Sequence, residues 1–130
     1  MSSSSNIKVT PIQNSKIDSV DFNNLSFGTV FTDYMFECEY KDGEWQTPEI
    51  KPYGNISVAP SARVFHYGQA VFEGMKAYKD ENDDIFLFRP EENFKRINKS
   101  SSRLAIPEFP KEYFMDGLTQ LLNLEKDWIK

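Results

Sequence analysis

The hydrophobic pattern of this chain changes at Pro90, and this change limits its possible folds more than any other feature. Before Pro90 the clearest pattern is the alternation of residues 34–40, which is typical of a half-buried strand. After Pro90 apolar residues recur every three or four residues, as on one face of a helix. Strands first and helices last favour the α+β class. We therefore expect an antiparallel sheet with two helices packed on one side.

The first strand pair is predicted from an alternating segment followed by a turn. Residues 34–40 alternate, and the dipeptide Asp42-Gly43 is a strong hairpin signal. The returning strand is expected at 45–50, and Pro48 marks it as an edge strand because proline cannot donate to a neighbour.

Between this hairpin and the helices the pattern is less regular. A short strand at 56–58 is expected, followed by one or two helical turns that end at Gly74. A second hairpin then pairs residues 75–79 with 85–88 across an acidic loop.

Two helices are predicted after Pro90. Proline suits the first helical position, so the first helix covers about 91–103, and Pro110 opens a second at about 111–127. The expected buried stripes are Phe94, Ile97, Ser101 and Leu104 in the first, and Phe114, Leu118, Leu121 and Leu122 in the second.

Composition excludes several classes of function. The 130 residues carry a net charge of -5, which speaks against a general nucleic-acid binder. His66 and Cys38 are the single histidine and cysteine, so no His/Cys metal site and no internal disulfide are expected. Cys38 is interpreted as a small buried hydrophobe. Neither a membrane span nor a secretory signal is recognised, so we expect a cytoplasmic protein with no membrane partner.

Three segments, at 27–35, 66–78 and 88–96, together carry a family resemblance. They read FGTVFTDYM, HYGQAVFEGMKAY and FRPEENFKR, and their order and spacing resemble the start of branched-chain amino acid aminotransferases, which are pyridoxal-phosphate enzymes of fold type IV. The closing residues 125–128 match as well. The resemblance covers about residues 22–130.

The resemblance implies a domain arrangement. Residues 1–24 are a polar arm that orders only by packing on something else. Residues 25–130 are similar to the small N-terminal domain of the family, truncated before its last strand, with the large catalytic domain absent. In relatives the Schiff-base lysine lies downstream of the position of Lys130. The resemblance therefore assigns no catalytic residue to this chain, and we expect these 130 residues alone to be inactive.

One arginine is the candidate cofactor-binding residue. Arg96, Lys99 and Arg103 share one helix face, which by itself is typical of a solvated charged surface. The resemblance matches Arg96 to an arginine that binds the phosphate of pyridoxal 5'-phosphate. A guanidinium can hold a phosphate through two parallel hydrogen bonds. Lys99 and Arg103 keep the interpretation of a solvated face.

Three aromatic residues are the candidate substrate-binding residues. Composition alone would make Phe27, Tyr67 and Phe72 core aromatics. The resemblance matches them to the walls of a pocket for apolar amino-acid side chains. In relatives the tyrosine at the position of Tyr67 comes from the partner subunit, which implies a homodimer. His66 is expected to be structural rather than a general base, and Glu73 and Gly74 to form a helix end that supports Phe72.

The function implied by the resemblance is transfer of the amino group of leucine, isoleucine or valine to 2-oxoglutarate with pyridoxal 5'-phosphate, as in branched-chain amino acid biosynthesis. A second possibility is another fold type IV enzyme, a D-amino acid aminotransferase or an aminodeoxychorismate lyase. A third, from a different class, is a non-catalytic dimerisation module or the remnant of a disrupted gene.

Overall fold

Residues 6–130, the part of the chain that the computed structural model describes, form seven short strands and three α-helices. The strands are β1 (Lys8–Val9), β2 (Tyr34–Glu37), β3 (Tyr40–Lys41), β4 (Glu44–Trp45), β5 (Glu49–Pro52), β6 (Ala77–Lys79) and β7 (Ile85–Leu87). The helices are α1 (Arg63–Tyr67), α2 (Pro90–Arg103) and α3 (Lys111–Leu124). Short 3-10 helices lie at Ile17–Ser19 and Lys126–Trp128. The α+β class is confirmed.

The first predicted hairpin is confirmed, although its ladder is interrupted. β3 pairs with β4 next to the turn, and β2 pairs antiparallel with β5 further away. Asp42 and Gly43 both adopt positive φ angles, 54° and 80°, as a two-residue turn between twisted strands requires. Cys38 lies in the gap between β2 and β3, so it is not in a strand as predicted.

The edge position predicted from Pro48 is wrong, because β5 lies between β1 and β2. β1 pairs parallel with β5, the Lys8 amide donating to the Pro48 carbonyl at 3.0 Å. Pro48 stands just before the strand, where its missing N–H costs no ladder bond. Of the arm predicted at 1–24, residues 1–5 lie outside the described residues. Residues 6–24 contribute the strand β1 to this sheet, which is therefore mixed rather than purely antiparallel. The fully buried Ile50 lies at its centre.

The second hairpin is also confirmed, but it does not extend the first sheet. β6 and β7 form a separate two-stranded sheet, so the single antiparallel sheet expected from the sequence is wrong. The strand predicted at 56–58 does not form, and Ile56 there is exposed. Because this segment is irregular, no strand connects the two hairpins.

The helical turns after Ala62 end earlier than predicted. α1 ends at Tyr67, and Gly68 follows in the left-handed conformation with a φ of 62°. Such a glycine terminates a helix by turning its backbone out of the helical path. The stop predicted at Gly74 is therefore wrong, and residues 69–76 form a loop instead.

The two long helices begin where their prolines predict. α2 has Pro90 at its first turn, whereas α3 begins directly after Pro110 and ends at Leu124, three residues before the predicted end. The helices pack through Phe94 and Phe114, whose ring centroids are 5.4 Å apart. Leu104 lies beyond the end of α2 and is exposed, so its predicted place in the buried stripe is wrong.

α3 also packs against β2. Gly117 is buried, and a Cβ built on it would lie 2.8 Å from Phe36 Cδ2 and closer still to Cε2. Because Gly117 has no side chain, the Phe36 ring of β2 can pack directly against the backbone of α3. α3 therefore lies against the sheet, and α2 contacts α3 through the Phe94–Phe114 ring pair. Arg96 of α2 is exposed to solvent.

Candidate functional site

The outer face of α2 carries an arginine held by a carboxylate from the preceding loop. Arg96 Nε donates to Glu73 Oε2 at 2.8 Å, and Arg96 Nη2 donates to Glu73 Oε1. Asn93, one helical turn before Arg96, donates from Nδ2 to Glu73 Oε1 at 2.8 Å and to the Gly74 carbonyl at 3.1 Å. The irregular loop at 69–76 is therefore fastened to α2 at this point.

The two partners differ in their exposure. The Glu73 side chain is 6% exposed, whereas that of Arg96 is 68% exposed. The hydrogen bond from Arg96 is the main cause that lowers the pKa of Glu73 to about 2, and the bond from Asn93 acts in the same direction. Glu73 is therefore an anion at neutral pH, fixed beneath an arginine that remains open to solvent.

An open cavity of about 470 Å³ lies beside this pair, and four of its seven lining residues are cationic. Its residues are Phe88, Arg89, Glu92, Asn93, Lys95, Arg96 and Lys99. The carboxylate among them, Glu92, lies 3.7 Å from Arg89 Nη2 and 3.3 Å from Lys95 Nζ. When Glu73 beneath Arg96 is counted with Glu92, four cations stand against two carboxylates, and this net positive charge favours an anionic ligand. Lys99, predicted as part of a solvated face, is exposed on this wall.

The three predicted substrate-binding aromatics are exposed. Phe27 is fully exposed, and Tyr67 and Phe72 retain 82% and 91% of their accessible surface. Their exposure excludes the interpretation that they are core aromatics within residues 6–130. Tyr67 lines a second cavity, of about 520 Å³, whereas Phe27 and Phe72 line neither it nor the cavity at Arg96. The described residues do not gather these aromatics into one pocket.

The single histidine and the single cysteine have structural surroundings. His66 is exposed, and its Nε2 lies 2.8 Å from the Pro60 carbonyl oxygen. Cys38 is half-buried rather than buried as predicted, with Sγ 3.2 Å from the Gln46 carbonyl. Burial raises the pKa of its thiol, which makes it a poor nucleophile at neutral pH.

Sequence reasoning missed the contacts that Glu73 makes with Asn93 and Arg96. Glu73 was assigned to a helix end, but it lies in a loop and binds Arg96 across 23 residues of chain. The spacing of Asn93 and Arg96 indicated one helix face. Nothing in the pattern linked that face to a carboxylate so far away in the sequence.

Neither a metal-binding cluster nor a membrane-spanning helix is present in the described residues. Residues 6–130 contain no group of three or more histidine, cysteine, aspartate or glutamate side chains placed to hold a metal ion. None of the helices found in this range has the length and apolar character needed to cross a membrane.

Comparison with curated proteins finds that this chain is similar to aminotransferases, which are enzymes. Branched-chain-amino-acid aminotransferase 2 of Bacillus subtilis is 53% identical over 110 residues, which are 84% of this chain and 30% of that enzyme. Branched-chain-amino-acid transaminase 1 of the same organism is 49% identical over 110 residues. A branched-chain-amino-acid aminotransferase of Monosiga brevicollis is 44% identical over 111 residues, or 85% of this chain and 28% of that protein.

The resemblance inferred from the three sequence segments is therefore confirmed. The chain is homologous to branched-chain-amino-acid aminotransferases, and it spans about 30% of the length of these relatives. No family model matches the chain.

Proposed function

We propose that this chain supplies part of a pyridoxal-phosphate-dependent aminotransferase that moves the amino group of leucine, isoleucine or valine to 2-oxoglutarate. The observation that carries the proposal is the 53% identity over 110 residues to an enzyme named for branched-chain amino acids. Residues 25–130 would form most of a small domain of fold type IV, with residues 1–24 as an arm.

Arg96 is the residue of this chain that we assign to the cofactor. Its exposed guanidinium, the neighbouring cations and the open cavity fit the dianionic phosphate of pyridoxal 5'-phosphate. The bound cofactor would act as the electron sink of the reaction. Arg96 would hold the phosphate and so fix the cofactor's position, which is a binding role and not a proton-transfer role.

Phe27, Tyr67 and Phe72 are the residues that we assign to the substrate side chain. Branched aliphatic side chains offer nothing to hydrogen-bond, so a protein holds them by burying them, which contributes about 0.8 kcal/mol per methylene. The exposed rings of these residues are available for that purpose once another part of the enzyme covers them. Tyr67 would face the active site of the partner subunit in a homodimer.

A transamination assay tests this proposal. The complete gene product that contains this chain is incubated with 2-oxoglutarate and either leucine, isoleucine, valine or D-alanine. We expect activity with all three branched amino acids, because an apolar pocket separates neighbouring aliphatic side chains by only about 1–3 kcal/mol per methylene. Activity with D-alanine alone would favour another fold type IV enzyme, and no activity at all would favour a non-catalytic module.

The same assay tests the assignment of Arg96. Arg96→Ala should weaken cofactor binding and lower activity, and added pyridoxal 5'-phosphate should restore part of that activity. Arg103→Ala is the matched control, since Arg103 is an exposed arginine of the same helix and does not line this cavity. Equal effects of the two substitutions would contradict the assignment. We expect residues 1–130 expressed alone to be inactive, because the resemblance places the Schiff-base lysine outside them.

A further inference from the structure

The contacts of Glu73 suggest a role in the orientation of Arg96. Its nearly buried carboxylate binds the guanidinium through both oxygens, while Asn93 holds Oε1 from the other side. Asn93 also donates to the Gly74 carbonyl, so the backbone next to Glu73 is fixed too. Arg96 therefore rests on a support that is itself anchored to α2.

The geometry of the guanidinium determines what remains for a ligand. Arginine has five N–H donors, and Glu73 takes the one on Nε and one of the two on Nη2. The remaining three lie on Nη1 and the outer side of Nη2, and no other described residue accepts a hydrogen bond from Arg96. These donors form the fork that matches two oxygens of a phosphate.

We infer that Glu73 is a positioning residue, which holds Arg96 so that its outer fork is presented to a phosphate group. The inference rests on the proposed function, in which Arg96 binds the cofactor phosphate. An unsupported arginine would lose side-chain freedom when it binds a ligand, and the Glu73 contact restricts that freedom in advance. The negative charge of Glu73 is tolerated because Arg96 itself, through its hydrogen bonds and its charge, favours the ionised carboxylate.

The test compares two probes that differ in the phosphate. Dissociation constants for pyridoxal 5'-phosphate and for pyridoxal are measured by absorbance on the complete gene product and on its Glu73→Gln and Glu73→Ala variants. We expect Glu73→Ala to weaken binding of the phosphorylated probe about tenfold, a loss typical of 1.4 kcal/mol, and to leave pyridoxal binding unchanged. Glu73→Gln keeps the side-chain size and should give a smaller loss, which guards against misfolding of the alanine variant.

Glu92→Gln is the matched control, because Glu92 is an exposed carboxylate on the wall of the same cavity. It should leave the phosphate preference unchanged or increase it slightly. Equal losses for both probes in Glu73→Gln and Glu73→Ala would show that Glu73 serves only the fold. Tighter binding of pyridoxal 5'-phosphate in these variants would show that Glu73 competes with the phosphate for Arg96. Either result overturns the inference.

Arg96→Ala separates this inference from the proposed function. If Arg96→Ala leaves the preference for the phosphorylated probe intact, the assignment of Arg96 to the cofactor is wrong. If Arg96→Ala abolishes the preference but the Glu73 variants do not, only the positioning role of Glu73 is wrong. In the Arg96→Ala background, Glu73→Ala should have no further effect on binding of the phosphorylated probe.

Discussion

Two glutamates with nearly buried side chains have opposite electrostatic surroundings in this protein. Glu73 lies under a guanidinium that accounts for most of the lowering of its pKa. Glu125 accepts a hydrogen bond from the Tyr34 amide at 2.6 Å through Oε1, but its buried Oε2 has no partner among the described residues. Burial raises the pKa of Glu125, and the charge of nearby Asp33 adds to that rise. The partner, not the residue type, decides which protonation state each carboxyl favours.

The contribution of Glu73 to stability should be lost in acid. Its pKa is lowered from 4.5 to about 2 in the folded protein, so the Arg96 contact stabilises the fold fully above pH 4.5 and loses its effect as pH falls toward 2. In urea unfolding, Glu73→Gln should be less stable than the wild type at pH 7, and the difference should shrink between pH 4.5 and 2. A stability difference that stays constant with pH would show that the ionised Glu73 does not stabilise the fold through Arg96.

Glu125 should show the opposite dependence. Because its folded pKa is raised above 4.5, the protonated form is favoured by folding, and stability is lost as pH rises through the folded pKa. Glu125→Gln keeps an oxygen for the Tyr34 amide and carries no charge. In the same urea experiment, the free energy of unfolding of Glu125→Gln relative to that of the wild type should therefore increase from pH 4 to pH 7. A decrease over that range would contradict the prediction.

At the scale of elements, the contact between α3 and β2 depends on one glycine. Gly117→Ala would place a methyl group against the Phe36 ring, which itself packs edge-on to Phe109 at 6.2 Å. Overpacking of this kind costs about 1–3 kcal/mol, and the helix propensity of alanine offsets about 1 kcal/mol of it. We expect a net loss on the order of 1 kcal/mol in the free energy of unfolding. Gly54→Ala is the control, since no atom lies within 4 Å of its added methyl group and its stability should hardly change.

Elements with a local chemical signal were predictable, and those without one were not. Asp42-Gly43 and Pro90 indicate a turn and a helix start through their own backbone preferences. The parallel pairing of β1 with β5 brings together segments about 40 residues apart. β1 has only two residues, which is too short for an alternating pattern that would predict a strand. Gly68 and Gly74 carry the same helix-stop signal, so the sequence alone did not show that the helix ends before Gly68. Likewise Arg96 was identified through the resemblance, whereas its partner Glu73 depended on the path of a loop.

At the scale of the whole molecule, several large aromatic side chains of the described residues lie on the surface. Phe27, Tyr67, Phe72 and Phe88 are all largely exposed. Exposed apolar groups of this size mark surfaces that another protein surface covers. Phe27, Tyr67 and Phe72 are also the residues that we assign to the substrate pocket. Another part of the enzyme or a second subunit would therefore have to complete that pocket.

We expect this surface to cause association. In sedimentation experiments the 130-residue chain should form larger species as its concentration rises, and the double variant Phe27→Ser/Phe72→Ser should shift the equilibrium toward monomer. Leu124→Ser, which changes a partly exposed apolar residue of α3, is the matched control and should have little effect. A wild-type chain that stays monomeric at all concentrations would contradict the prediction.

The proposed function requires that this chain be part of an enzyme that carries pyridoxal 5'-phosphate. The most direct test is to isolate the native protein from its source cells, reduce it with borohydride and determine its intact mass and peptide map. We predict a covalent pyridoxal adduct on a polypeptide that contains this chain, attached to a lysine outside residues 1–130. A polypeptide that contains this chain and carries no adduct would contradict the account.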